Sequence, residues 1–203
     1  MTKEAQLEEV KSQIEQNKKL PLKNPSTNLV FGEGNVNSEV MFIGEAPGFH
    51  EDRLKRPFVG NAGHLLDKLL EKAQLNRGEV YITNVVKYRP PENRDPIPFE
   101  IEAYLPYLTA QIEIINPRFI ITLGRFSLNF FLPKAKISEV HGRAFSVHGR
   151  IVIPMFHPSA ALRSGTVLEL ETNDFLKLPQ ILKDPESFLP TQAKLDDSQM
   201  SFF

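Results

Sequence analysis

The chain reads as an α/β domain with three layers, α/β/α, and two observations predict it. Four apolar runs rich in Val, Ile and Phe, at residues 40–43, 80–86, 119–123 and 151–156, have the length and composition of strands, and helix-like stretches lie between them. Runs with so little polar alternation suit a mostly parallel sheet covered on both faces. The second observation is that each run carries a polar motif. The first breaks into Gly44-Glu45-Ala46-Pro47-Gly48, the second contains Asn84, the third ends in Gly124, and the fourth delivers His157-Pro158-Ser159. In sheets of this kind ligands bind outside the carboxyl ends of the strands, so these motifs gather on one edge.

Taken in order, residues 2–16 predict an amphipathic helix with Leu7, Val10 and Ile14 on one side. Residues 17–38 are irregular, with Pro21, Pro25 and the turn signal Gly32-Glu33-Gly34-Asn35. A stripe of Leu65, Leu66, Leu69, Leu70 and Ala73 makes residues 62–75 a helix. Pro90, Pro91, Pro96 and Pro98 make residues 89–98 a stiff, non-helical loop. Residues 99–115 are helical again, with Pro106 as a kink or break. Between Val140 and Phe156 a hairpin turns at His148-Gly149. The domain is expected to span residues 1–183, and the polar, Pro-punctuated residues 184–203 form a flexible tail. There is no internal repeat.

With 203 residues, 41% of them hydrophobic and 24% charged, one compact domain is expected, burying roughly 70% of its unfolded surface. The net charge of −1 gives no bulk affinity for nucleic acid. Phosphate contacts would have to come from local groups: Arg53, Lys55 and Arg56, then Lys87, Arg89 and Arg94, then Arg163. The absence of cysteine excludes disulfides and suits a cytoplasmic location. No run reaches membrane-span length and the N-terminus is charged, so no signal peptide is expected.

At Gly44-Glu45-Ala46-Pro47-Gly48, Arg56-Pro57-Phe58-Val59-Gly60-Asn61-Ala62-Gly63, Asn84-Val85-Val86-Lys87, Arg89-Pro90-Pro91 and His157-Pro158-Ser159, the chain resembles the uracil-DNA glycosylase superfamily. The resemblance is to the family 4 type, usually built around an iron–sulfur cluster, and runs in order over about residues 17 to 165. It implies a central parallel four-stranded sheet. It also implies an enzyme that hydrolyses the N-glycosidic bond of deoxyuridine in DNA without a lyase step, as a monomer with no membrane partner. Two rival readings stay open: a catalytically silent relative that senses uracil or single strands, and a flavodoxin-like phosphate-binding module. The second lacks its phosphate loop here.

One departure from the family is large. The positions of its four cluster cysteines hold Asn17, Leu20, Tyr88 and Tyr104. Iron–sulfur clusters need thiolates, so no cluster and no other cofactor is expected. None of the five histidines has metal-ligand spacing either.

The chemistry requires a flipped base held in a tight pocket. The resemblance assigns Phe58 to stacking on uracil and Asn84 to its N3–H and O4, a pattern that cytosine inverts. His157 would donate to O2 as charge leaves with the base, and backbone N–H groups of Gly44, Ala46 and their turn would add to that hole. Ala46 stands where some relatives carry an aspartate base. The water-activating group is therefore Glu51, with Glu45 as the second candidate. For DNA, the turn at Gly63 offers free N–H groups to an anion, as do Arg89 and Arg163 through their charge. Ser159 and the residues after it resemble the family's loop that enters the minor groove. Leu162 is either a wedge between bases or a buried residue at the start of the last helix. Finally, Gln199, Met200, Phe202 and Phe203 lie in a C-terminal Gln-Met-Ser-Phe-Phe, similar to the peptide by which bacterial enzymes dock on the replication sliding clamp.

Overall fold

Residues 1–190 are described by a computed structural model, whose centre is a six-stranded sheet in the order β1-β3-β2-β4-β6-β5. The strands are β1 (Glu33–Gly34), β2 (Val40–Gly44), β3 (Tyr81–Asn84), β4 (Phe119–Leu123), β5 (Phe145–Val147) and β6 (Arg150–Met155). The expected four parallel strands are the middle four, β3, β2, β4 and β6. The whole sheet is mixed, because a short antiparallel strand closes each edge. At one edge the hairpin from β5 to β6 turns at His148 and Gly149, both at positive φ, the backbone that a two-residue hairpin loop needs. At the other edge Gly34 lies so close to β3 that a Cβ there would stand 1.9 Å from the Val80 carbonyl.

Both faces of the sheet are buried, which explains why its strands show no alternation. In β2, Phe42 points into one cluster with Leu66, Leu69 and Leu70 of α3 (Asn61–Lys72) and Phe175, Leu178 and Ile181 of α8 (Gly165–Lys183). Its neighbours Met41 and Ile43 point into the other, with Leu7, Val10 and Ile14 of α1 (Lys3–Gln16) and Tyr104, Leu108 and Ile112 of α4 (Pro98–Ile115). These are the three layers. Proline opens α4 at its first position, Glu100 accepts the Ile97 N–H at 2.9 Å, and the helix runs on through Pro106. The short helices α2 (Phe49–Leu54), α5 (Arg125–Phe131), α6 (Ile137–Val140) and α7 (Pro158–Ala161) sit in the connections.

Two expectations need correcting. The proline-rich loop holds a 3₁₀ turn, Pro91–Asn93. Residues 184–190, read as the start of the tail, close on the domain: Pro185–Phe188 form a second such turn, Pro185 is buried, and Leu189 packs against the α3/α8 cluster. The clamp-like residues Gln199, Met200, Phe202 and Phe203 lie outside the described residues. Among the described residues no helix is long and apolar enough to cross a membrane.

Asn17, Leu20, Tyr88 and Tyr104, the residues expected in place of cluster cysteines, pack without a thiol. Leu20, Tyr88 and Tyr104 are buried in the α1/α4 cluster, with the two rings 6.4 Å apart. The Tyr104 hydroxyl donates to the Pro21 carbonyl at 2.5 Å, and Asn17 Nδ2 donates to the Tyr107 hydroxyl at 3.0 Å. None of the four offers a thiolate, and the buried rings fill the space, so these residues do not fit an iron–sulfur cluster.

Candidate active site

Because β2, β3, β4 and β6 run parallel in register, their carboxyl ends at Gly44, Asn84, Leu123 and Met155 fall along one edge. The segments that follow line one cleft of about 520 Å³, with Glu51, Phe58, Ser159 and Arg163 completing its wall. The turn after β2 is tied to β3 by Val85 N–H to Gly44 O at 3.1 Å and Val86 N–H to Glu45 O at 3.0 Å.

Phe58 forms the floor. It is buried, and its backbone takes a left-handed φ of 50°, which costs energy for a bulky residue and must be held by its surroundings. Two glycines hold it. A Cβ on Gly44 would meet the Phe58 ring at 2.5 Å and Asn84 Oδ1 at 2.4 Å, and a Cβ on Gly63 would stand 2.0 Å from the Phe58 backbone. This corrects the reading of Gly63 as a DNA contact, for it is buried beneath Phe58. The buried Asn84 Oδ1 has no hydrogen-bond partner. An unpaired buried acceptor is costly unless a ligand supplies the donor.

His157 stands 5.6 Å from Phe58, ring centre to ring centre. The Ser159 backbone N–H donates to its Nδ1 at 3.2 Å, and the Ser159 hydroxyl lies 2.9 Å from the same nitrogen. Accepting that N–H requires a lone pair on Nδ1, so the neutral ring carries its proton on Nε2. Burial, helped by the Arg163 charge and opposed by Glu51, pushes the His157 pKa down to about 4. At neutral pH the ring is thus an uncharged Nε2–H donor. Ser159, expected at DNA, is engaged in holding it. Gly124, at φ 89°, lets the ring close in, since a Cβ there would be 3.0 Å from that of His157.

Three carboxylates line the cleft: Glu45 and Glu51, both half-buried, and the exposed Asp95. Glu51 Oε1 accepts the N–H groups of Val59 at 2.8 Å and Gly60 at 2.7 Å, which fixes the side chain and leaves Oε2 toward Gly48. Glu45 is pushed up to about 7 by burial first and by Asp95 second, against the opposing charge of Arg125. Asp95 and Arg125 form an ion pair on the rim, and neither stood out in the sequence, because the residues lie far apart in the chain.

The cationic patches are redistributed. Arg56 pairs with Glu33 and Arg94 with Glu100. Lys87 is fully buried, so it cannot touch phosphate. Arg89 lies over the exposed Phe49 ring at 5.1 Å and donates to Asn93 at 2.7 Å. Leu162, at the end of α7, is 52% exposed, which removes the buried alternative. Arg163 beside it lines the cleft.

Residues 31–180 match the family described as Uracil DNA glycosylase superfamily. The chain is 46% identical to the Type-4 uracil-DNA glycosylase of Thermotoga maritima, covering 90% of this chain and 97% of that one. It is 42% identical to the Type-4 enzyme of Sulfurisphaera tokodaii over 90% of this chain and 87% of that one. With the Archaeoglobus fulgidus Type-4 enzyme the identity is 41%, over 90% and 97%. A match across most of the sequence, with relatives aligned nearly end to end, shows that this chain belongs to the uracil-DNA glycosylase superfamily.

Proposed function

We propose that the protein is a monofunctional uracil-DNA glycosylase of base excision repair. The observation that carries this is the unpaired Asn84 Oδ1, buried beside the Phe58 ring and across from a neutral His157. A uracil stacked on Phe58 supplies the missing donor from N3–H, while its O4 accepts from the Asn84 amide nitrogen. Cytosine brings an acceptor at N3 and an amino group at position 4, so it leaves both Asn84 groups mispaired.

As the glycosidic bond breaks, its electron pair moves to uracil N1 and onto O2. His157 Nε2–H donates to that oxygen and, being neutral, needs no proton transfer; such preorganised donors contribute about 3–4 kcal/mol. Backbone N–H groups of the turn from Gly44 through Ala46 supplement it. Glu51, fixed by two amides, orients the attacking water and offsets the positive charge of the sugar. Glu45, with its pKa near neutrality, is suited to take the water's proton. No lysine lines the cleft among the described residues, which favours hydrolysis over a Schiff-base route. Leu162 wedges the strand open, and Arg163 and Arg89 meet phosphates.

The same proposal covers a working state without an iron–sulfur cluster, supported by the packed Leu20, Tyr88 and Tyr104; stoichiometric iron in purified protein would overturn that part. It also covers a cytoplasmic monomer whose domain is followed by a tail with Gln199, Met200, Phe202 and Phe203 on a sliding clamp. A labelled peptide of residues 193–203 that ignores high-micromolar clamp would end the clamp proposal. The main test is a gel assay on a uracil-containing oligonucleotide with alkaline cleavage of abasic product. Intact substrate after long incubation at high enzyme would replace the enzyme with a silent uracil sensor.

A further inference from the structure

Lys87 is among the largest fully buried side chains of the molecule. Its Nζ donates to Thr83 Oγ1 at 2.7 Å, to the Asn84 carbonyl at 2.7 Å and to Gln111 Oε1 at 2.5 Å. None of the ion pairs among the described residues involves it, and burial pushes its pKa well below the usual lysine range. The three partners nevertheless define what the site is built to hold. The carbonyl and the amide oxygen only accept. The Thr83 hydroxyl sends its own proton to Phe31 O at 2.8 Å, so it too must accept from Nζ. Three acceptors require three protons, which is an ammonium.

A buried ammonium with no counter-ion costs folding free energy, and an apolar side chain of the same length would avoid that cost. Its value therefore has to lie in what it holds. Its partners tie the end of β3 to α4 through Gln111, and Gln111 Nε2 in turn donates to Phe31 O at 3.0 Å. At the centre of this knot is the carbonyl of Asn84, a residue that lines the cleft and whose side-chain oxygen is buried and unpaired. With no partner on that oxygen, the amide is aimed by the backbone that carries it.

We infer that Lys87 is a positioning residue of the active site: its ammonium pins the Asn84 peptide so that the amide meets the base edge at one fixed angle. This rests on the reading of Asn84 as the group that recognises uracil. Lys87 touches neither base nor sugar and acts only through its neighbour.

The test is a double-mutant cycle on the full chain: wild type, Lys87→Met, Asn84→Ala and the pair, each in single-turnover excision from a uracil oligonucleotide. Amplitude reports the active fraction, and the rate constant reports the chemistry of molecules that are folded. Lys87→Met is expected to lower the rate constant about tenfold or more in the wild-type background and less than twofold in the Asn84→Ala background. A purely structural lysine would lower amplitude and leave the rate constant alone. That result, or an equal loss in both backgrounds, overturns the inference while the glycosylase reading stands. Wild-type protein that leaves the substrate intact overturns both. Should Lys87→Met not fold, Thr83→Val removes one acceptor at constant shape; it is expected to show the same dependence on Asn84 with a smaller loss, and additivity there would likewise overturn the inference.

Discussion

Asn84 ends β3 and Tyr88 follows four residues later, yet they border regions built on opposite terms. On the cleft side, Asn84 Oδ1 is buried without a partner and Phe58 holds a left-handed backbone. On the α1/α4 side, Tyr88 and Tyr104 sit in an apolar cluster, with the Tyr104 hydroxyl bonded to Pro21. The first region leaves polar capacity open for something that arrives from outside; the second packs its rings among apolar side chains of its own. Polar groups left open cost stability and give recognition, whereas packed rings give stability alone.

Three substitutions break or sharpen that contrast. The largest effect is expected from Tyr104→Ala, which should cost about 3–5 kcal/mol in denaturant unfolding, as deletion of large buried aromatics does. The single-turnover rate constant of the remaining folded molecules should stay within twofold of wild type; a proportionate fall would mean that the packed region also shapes the cleft. Next is His157→Ala, expected to slow single-turnover excision about a hundredfold or more with little change in DNA affinity. Equal rates would remove His157 from the leaving-group role. The same variant has a stability signature. With a folded pKa of about 4, below its unfolded value, His157 contributes stability that is present at neutral pH and lost as pH falls toward 4. Unfolding curves of His157→Ala should lack that part of the acid dependence.

The smallest effect concerns Glu45. A base with a pKa of about 7 is mostly protonated at pH 6 and mostly ionised at pH 8, so excision should rise roughly tenfold between them and then level. Glu45→Gln should be slower and lack the rise. An unchanged profile in that variant would assign the proton to another group.

The layers were legible in the sequence because parallel strands buried on both faces announce themselves as unbroken apolar runs. The edge strand Glu33–Gly34 was not, since two residues carry no period and their conformation is set by pairing with β3. The motifs at strand ends told which side chains meet, because topology brings such ends together. Their division of labour was harder to read. Lys87 looks like a surface cation in the sequence, since lysines are rarely fully buried and nothing local marks this one. The sequence marks Gly63 only as part of a turn into a helix, whereas its small size serves Phe58, nearby in sequence but across a turn of the backbone. Asp95 and Arg125 come from distant segments, and only the fold pairs them.

The contact of Phe58 with both Gly44 and Gly63 also bears on how such a pocket changes over generations. A methyl group at position 44 and a phenyl ring at position 58 claim the same volume, and one at position 63 displaces the backbone that carries the ring. Single substitutions that add a side chain at position 44 or 63 are therefore opposed for as long as Phe58 keeps its place. The two glycines and the ring are thus coupled: a larger residue at either glycine becomes affordable only once the ring has moved or shrunk.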